Sequence, residues 1–388
     1  MEKKYPKEFW IMCGGALFFF LSFNIILPEL SNFLKVLGGQ EHLGWIIPAF
    51  SISALVARPL SGWITDNLGR KWAMIGGCIF CIIAGVFYPF VGTVSGFFFV
   101  RAIHGFSTGF TPTGFTAFTA DTVKPEFRGR AMGWQGTFNN IGTSFGYGLG
   151  ALIVIYFSVS ALFLSSAVFA IVALVLFSML PETKPAEAAR KFEFKIRHLF
   201  YLRAWKPSFL MFLVCISLGS ILTIMPDHTI ALGYSNKGLY LTIYISFSLI
   251  FRMFSGKISD AKGRAYSTAI GTGAQIISMA LLILNPFDDS FFISAFFYGI
   301  GQGFNAPSLF AWASDTAGPQ NRGKALASLF MMLEFGIIFG GFFSGKMIMK
   351  WGMSANDVFL MNMAFFGVAF IFSLIHILQT SNAKKSKQ

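Results

Sequence analysis

The ten residues Gly62-Trp-Ile-Thr-Asp-Asn-Leu-Gly-Arg-Lys71 place three charges between two long apolar segments. A copy of this stretch begins at Gly256, displaced by 194 positions. A second block, 105–131, matches 299–325 at the same displacement without a gap. Two matches at one displacement predict a chain built from two related halves. The residues shared by the two copies of the stretch are Gly62 and Gly256, Asp66 and Asp260, Gly69 and Gly263, and Arg70 and Arg264.

The apolar content of the chain excludes a soluble protein. Hydrophobic residues make up 55% of the 388 residues and charged residues only 12%, too few to wet the surface of a soluble protein. Apolar stretches of about 20 residues, long enough to cross a hydrocarbon core of roughly 30 Å as a helix, recur along the chain. The sequence therefore predicts an all-α membrane protein with twelve transmembrane helices. The predicted spans are residues 10–30, 43–63, 73–92, 96–118, 131–155, 160–180, 207–226, 238–258, 267–285, 291–313, 325–347 and 356–378.

The longest charged stretch between spans divides the twelve spans into six and six. We predict an N-terminal six-helix bundle at 1–181, a cytoplasmic linker at 182–206 and a C-terminal six-helix bundle at 207–388. Because the repeated blocks run in the same direction, a pseudo-twofold axis along the membrane normal should relate the bundles, with a cleft between them. Such an arrangement allows alternating access to a midplane site, so it favours a transporter of a small-molecule substrate and not an enzyme.

The formal net charge of +13 follows the predicted topology. All but five of the 30 Lys and Arg residues fall on one side of the membrane, in alternate loops, helix ends and tails. The positive-inside rule then places both termini in the cytoplasm of a multi-pass plasma (inner) membrane protein. We expect a monomer in the lipid bilayer and no nucleic-acid partner. The five exceptions are Lys35, Arg101, Lys237, Lys346 and Lys350.

The cysteines do not indicate a metal or redox site. Cys78 and Cys81 have a CxxC spacing, but it lies inside an apolar span with no second pair and no histidine nearby in the sequence. The glycine-rich run 299–303 also lies inside a span and lacks the strand-turn-helix context of a nucleotide-binding loop. No cofactor and no metal are therefore expected.

The stretch 62–71 resembles the signature loop between helices 2 and 3 of the major facilitator superfamily, and the resemblance covers essentially the whole chain. It implies the major facilitator fold and a conformational latch, in which Gly62 permits close helix approach and Gly69 turns the chain. The second copy has Ala265 in place of Lys71, so its latch is expected to be weaker or differently paired. Alternatively, these charges only mark topology. The latch residues that the resemblance implies are Gly62, Asp66, Gly69, Arg70, Lys71, Asp121, Arg128, Arg130, Asp260, Arg264, Asp315 and Arg322.

The fourth predicted helix carries Arg101 with Gly105 and Gly109, which resembles an Arg-containing motif of many proton-coupled members of the superfamily. A charge within a span is costly and usually faces the bundle interior, and the equivalent residue in the other half is Ala295. Arg101 is therefore a candidate for proton coupling or substrate binding. The alternative is a side chain that snorkels to the outer interface. His104 shares its helix face and either handles protons or only packs.

Glu334 lies near the middle of the eleventh predicted span. A lone carboxylate at that depth must be paired or protonated, so Glu334 is a candidate for proton coupling or substrate contact. Its equivalent in the other half, Asn140, is a candidate substrate contact on the opposite bundle. The glycines that follow Asn140 are expected to pack helices closely. This helix resembles the superfamily's antiporter motif, except that Tyr147 stands where that motif has proline.

Four further polar residues are candidates for the transport path. Glu29 and Asp227 lie near the outer ends of helices 1 and 7, where they serve an external gate or proton entry, or are only solvated helix ends. Asn24 and Asn305 are expected to face a central cavity or to hydrogen-bond a neighbouring helix.

Together these features favour proton-coupled efflux of small organic molecules by alternating access. The signature loop, the Arg101 motif and the buried acid resemble the drug and metabolite exporters of the superfamily. The first alternative is a proton-coupled uptake symporter for a small metabolite, which would be anionic if Arg101 binds it. The second is a membrane sensor with the same fold and no transport.

Overall fold

The fold is seen in a computed structural model that describes residues 5–124, 127–183, 201–284, 288–317 and 322–385. Within these ranges the regular structure is entirely helical. A short 3₁₀ turn, Leu27–Glu29, continues the first helix into the second. The α-helices are α1 Lys7–Ile25, α2 Leu30–Val36, α3 Ile46–Asn67, α4 Arg70–Phe87, α5 Val94–Thr122, α6 Arg128–Tyr156, α7 Val159–Ser178, α8 Trp205–Ala231, α9 Leu239–Lys262, α10 Arg264–Leu284, α11 Asp288–Asp315, α12 Arg322–Met349 and α13 Ala355–Lys385.

Nine helical stretches within the described ranges are long and apolar enough to cross a membrane. They comprise α1 with α2 as one stretch, α3, α4, α7 to α10, α12 and α13. The predicted spans 96–118, 131–155 and 291–313 fall on α5, α6 and α11. These three helices are long enough, but α5 and α6 are rich in Gly, Ser and Thr, and α11 contains Gln302 and Asn305, which lowers their hydropathy. The chain is an integral, multi-pass membrane protein.

The helices form two compact units. The first contains α1 to α7, and the second contains α8 and α10 to α13. The segment Ser235–Thr242, which includes the start of α9, belongs to the first unit, whereas the rest of α9 belongs to the second. Most of the predicted linker, 182–206, lies outside the described residues.

In the first unit, α6 packs against α1 along a row of glycines four residues apart. A Cβ on Gly142 would lie 2.2 Å from the Leu17 carbonyl oxygen, and one on Gly150 would lie 2.0 Å from that of Ile25. Only glycine permits backbones to approach this closely. The prediction that these glycines pack helices is confirmed.

The second unit has the same kind of contact between α12 and α8. A Cβ on Gly340 would lie 1.8 Å from the Ile216 carbonyl oxygen, and one on Gly219 would lie 2.2 Å from that of Ile337. Each helix of this pair therefore contributes a glycine to the contact, which allows the backbones of α12 and α8 to approach closely.

Candidate functional site

The signature loop turns at Gly69, which joins α3 to α4. Gly69 has φ +135°, a backbone conformation that L side chains rarely adopt. A Cβ at this position would also lie 2.1 Å from Oε2 of Glu182. The expectation that Gly69 turns the chain is confirmed, and both backbone conformation and space require glycine here.

Arg70 begins α4 and is the centre of a hydrogen-bond network. Its buried side chain donates from Nε to Asp121 Oδ2 at 2.9 Å and from Nη1 to the Thr65 carbonyl oxygen at 2.6 Å. Nη1 also lies 3.3 Å from Asp66 Oδ1. The Asp66 side chain is 59% exposed and that of Asp121 only 29%. Because solvent screens exposed pairs more strongly, Asp121 is the stronger partner of Arg70.

Glu182 and Thr183 were not among the predicted latch residues, yet Glu182 contacts this loop and Thr183 contacts Asp121. Glu182 Oε1 accepts hydrogen bonds from the backbone N–H groups of Arg70 at 2.7 Å and Thr183 at 2.9 Å. The Thr183 hydroxyl donates to Asp121 Oδ2 at 3.1 Å. Lys71 Nζ donates to the carbonyl oxygen of the last α7 residue at 2.6 Å. The only sequence signal for these contacts was an acid immediately after the sixth predicted span.

Other implied latch residues lie in different surroundings from those expected. A Cβ on Gly62 would have no described atom within 4 Å, so the described structure does not show the expected close helix approach at this position. Arg128 Nε donates to the Val123 carbonyl oxygen at 3.2 Å, at the end of α5. Arg130 is exposed. Neither arginine is part of the Arg70 network in the described structure.

The second copy of the loop pairs in the same way as the first. Arg264 Nε donates to Asp315 Oδ2 at 2.8 Å, and its Nη1 donates to Asp260 Oδ1. The Arg264 side chain is 25% exposed, compared with 9% for Arg70. The expectation that the second loop is differently paired is therefore wrong. The greater exposure of Arg264 agrees with the other expectation, a weaker latch in the second loop. The side chain of Arg322 lies outside the part of the chain that the structure describes.

Arg101 on α5 is buried, with 2% of its surface exposed. Its Nε donates to the Ile46 carbonyl oxygen at 3.1 Å. Its Cζ lies 4.3 Å from the centroid of the Phe50 ring, within the range of a cation–π contact. The alternative of a snorkelling side chain is wrong, because α3 covers the guanidinium.

His104, one turn further along α5, is fully buried. Its ring packs edge-on against those of Phe50 and Tyr88, with centroids 5.6 and 6.0 Å away. Its Nε2 lies 3.4 Å from Cys81 Sγ. A histidine therefore does lie beside the CxxC pair in space, because α4 and α5 pack side by side.

Glu334 and Asn140 each present a polar group within their own unit. Glu334 on α12 is 7% exposed. Beside it α12 approaches α8 so closely that a Cβ on Gly336 would lie 2.5 Å from the Phe212 carbonyl oxygen. Asn140 on α6 is half-buried, and its Nδ2 has no hydrogen-bond partner among the described residues.

Glu29 is buried, with 4% of its surface exposed. Lys237 Nζ donates to its Oε2 at 2.6 Å, and Lys237 belongs to the segment Ser235–Thr242 of the first unit. The same segment meets α6 directly, since a Cβ on Gly238 would lie 1.9 Å from the Tyr147 carbonyl oxygen. The alternative of a solvated helix end is therefore wrong for Glu29.

The remaining candidates contact neighbouring helices. Asn24 Nδ2 donates to Thr143 Oγ1 on α6 at 3.3 Å. Asn305 Nδ2 donates to Gln275 Oε1 on α10 at 2.6 Å. Asn24 and Asn305 thus hydrogen-bond neighbouring helices in this structure, which is one of the two roles expected for them. Asp227 is half-buried on α8.

Comparison with known proteins finds transporters. A family model described as Major Facilitator Superfamily matches residues 12–290 and, separately, residues 207–388. Multidrug resistance protein 2 of Bacillus subtilis (strain 168) is 24% identical over 328 residues, which cover 80% of this chain and 82% of that protein. Quinolone resistance protein NorA of Staphylococcus aureus (strain MRSA252) is 26% identical over 148 residues, which cover 38% of each chain.

A solved structure of a D-xylose-proton symporter superimposes on 94% of this chain and 95% of its own. The TM-score is 0.75 and the sequence identity 16%. Identity this low supports a shared fold and leaves function to be argued from the residues.

Proposed function

This chain belongs to the Major Facilitator Superfamily, and we propose that it is a secondary active transporter that exports small organic molecules in exchange for protons. The names of the two bacterial relatives refer to drug resistance, which supports efflux over uptake. The loop at Arg70, tied to the ends of α5 and α7, supports a latch that holds one access state. Small-molecule transport also agrees with two internal repeats, which this kind of carrier uses to alternate access.

The proposed architecture is twelve transmembrane helices in two six-helix bundles with pseudo-twofold symmetry. The repeat at one displacement supports this symmetry, and the long helices before and after 182–206 number six on each side within the described ranges, if α1 and α2 are taken together. The bias of Lys and Arg supports cytoplasmic termini and a signature loop on the cytoplasmic side. We propose a monomer in the plasma (inner) membrane.

Proton coupling is proposed for Glu334 because of its position. Its carboxylate is 7% exposed on a helix whose contact with α8 is fixed by glycine. An ionised carboxylate inside a helical unit is costly, and protonation removes that cost. A group that is protonated in one access state and ionised in the other would move one proton per cycle.

The proposal is tested by Glu334→Gln, which keeps the shape of the side chain but cannot ionise. Purified protein in proteoliposomes should extrude a fluorescent lipophilic dye when a pH gradient is applied. We expect Glu334→Gln to lose pH-driven flux by about tenfold or more, because the coupling step is removed. Dye binding measured by fluorescence polarisation should persist.

The matched control is Glu41→Gln, which changes an acid whose side chain is 84% exposed. This variant should transport as the wild type does. Wild-type pH-driven flux in Glu334→Gln would refute proton coupling through this residue. Thermal unfolding of both variants separates a lost coupling step from a lost fold.

A further inference from the structure

A cluster of buried polar side chains lies in the first unit, away from the signature loop. It consists of Arg101 and His104 on α5 and of Tyr88, which follows α4, and none is more than 2% exposed. One polar atom of each has no hydrogen-bond partner among the described residues, namely Arg101 Nη1, Tyr88 Oη and His104 Nδ1. Burying such atoms is unfavourable unless another group completes their hydrogen bonds.

The three side chains face one another. Arg101 and His104 are three residues apart and share a face of α5. The rings of Tyr88 and His104 lie with centroids 6.0 Å apart. The Arg101 guanidinium and the Tyr88 hydroxyl lie close together but do not form a well-aligned hydrogen bond. The guanidinium also interacts electrostatically with His104. The Phe50 ring packs against His104 and the Phe97 ring packs against Tyr88, so aromatic rings border the cluster.

The cluster is positively charged and rich in donors. The Arg101 guanidinium is always charged, and no carboxylate in the described part of the chain lies within ion-pair distance of it. The Ile46 carbonyl oxygen and the Phe50 ring offset its charge in part. A thiol is a better donor than acceptor, so Cys81 Sγ at 3.4 Å favours an unprotonated Nε2 on His104 and leaves Nδ1 as a donor.

We propose that Arg101, Tyr88 and His104 bind a small inorganic anion of the size of chloride. Such an ion accepts hydrogen bonds from the guanidinium, the phenol and the imidazole N–H, and it neutralises the buried charge. A water molecule would complete the hydrogen bonds but leave the charge uncompensated. The aromatic rings that border the cluster favour a small ion over a larger one. The ion is a resident part of the first unit, and its binding does not depend on the direction of transport.

The test is thermal unfolding of the purified wild-type protein in sodium chloride, sodium bromide and sodium gluconate at equal ionic strength. Chloride and bromide should raise the unfolding midpoint in a saturable way, since a ligand of the native state stabilises it. Gluconate is too large for the proposed site and should not raise the midpoint. The Tyr88→Phe variant loses one donor to the anion, so its apparent chloride affinity should fall by about tenfold.

The matched control is Tyr298→Phe, which removes a buried phenolic hydroxyl on α11 in the second unit and should keep the wild-type response. Equal midpoints of the wild type in chloride and gluconate would overturn the proposal. An undiminished chloride response in Tyr88→Phe would place the ion elsewhere and also overturn it. If that variant does not fold, anomalous scattering from bromide in wild-type crystals decides, because a missing peak beside Arg101 refutes the site.

Discussion

Arg70 and Arg264 occupy equivalent positions in two copies of one loop but lie in different surroundings. The Arg70 side chain is 9% exposed and that of Arg264 is 25% exposed. Glu182 packs against the first loop, whereas its equivalent in the other half, His376, contacts the Trp312 ring in a tilted arrangement with centroids 4.8 Å apart. The same local sequence therefore carries charge pairs of different strength, because the residues that cover each loop differ.

Replacing Asp121 by Asn should lower the thermal stability of the purified protein by more than replacing Asp66 by Asn. The first change leaves the buried Arg70 guanidinium without its nearer charged partner, at an expected cost of about 1–3 kcal/mol. The exposed Asp66 pair should contribute at most about 1 kcal/mol. Thermal unfolding in one detergent measures both. Asp315→Asn removes the equivalent pair of the second loop, which is more exposed than the Arg70–Asp121 pair, so it should cost less than Asp121→Asn. Equal losses in all three variants would contradict this ranking.

Through the family resemblance, the sequence was sufficient to identify the turn at Gly69 and to include Asp121 among the latch residues. It was not sufficient to find Glu182, which contacts Arg70 from 112 residues away. No periodicity or motif specifies where a chain returns after three further helices. The contacts of Arg101 with Ile46 and Phe50 could not be predicted for the same reason, because they depend on α3 crossing over its side chain.

At the scale of elements, the predicted spans located the helices but not their ends. The first span was expected to end at residue 30, yet the helical path continues to Val36. Pro28 lies at the start of a 3₁₀ turn, where the missing N–H costs little. Pro59, Pro112 and Pro226 lie inside helices, where packing against neighbours compensates for the lost hydrogen bond. Hydropathy therefore predicts the segment that crosses the hydrocarbon core but not the residues at which the helix begins and ends.

The pair of Glu29 and Lys237 joins the end of α1 to the segment before α9, and breaking it should be costly. Glu29→Gln leaves the Lys237 ammonium, on a side chain 14% exposed, without its counter-charge. We expect a loss of stability approaching the ~3–5 kcal/mol typical of a broken buried ion pair. Thermal unfolding measures the loss, and Glu41→Gln serves as the exposed control.

The pair can be separated from its surroundings by a double variant. Changing both Glu29 and Lys237 to Gln removes the unpaired charge, so the double variant should be more stable than Glu29→Gln alone. Additive losses, with no recovery in the double variant, would show that the two side chains do not depend on each other.

For the whole molecule, the prediction of two related halves rested on the sequence repeat. One displacement aligned charged and glycine residues in both halves, and the helical structure and the family match agree with it. The segment Ser235–Thr242 could not be assigned this way, because the repeat places it in the second half and its contacts place it in the first unit. Symmetry in sequence predicts which helices correspond but not the unit to which a connecting segment belongs.

The direction of transport is a property of the whole molecule and is tested in cells. A strain without this protein should become more sensitive to toxic lipophilic compounds, and restored expression should reverse the change if the proposed export is correct. Loss of growth on a particular nutrient, with unchanged sensitivity, would instead identify uptake. If neither sensitivity nor growth changes and proteoliposomes show no flux, the remaining function is that of a membrane sensor.

Gly62 and Gly256 lie inside helices, and a Cβ on either would meet no described atom within 4 Å. Glycine within a helix costs roughly 0.5–1 kcal/mol relative to alanine, and here the cost occurs twice without any steric need among the described residues. We infer that the need arises in a second conformation, in which another backbone reaches these positions. Alanine at both sites would then destabilise only the second conformation, so it should shift the population toward the conformation described here.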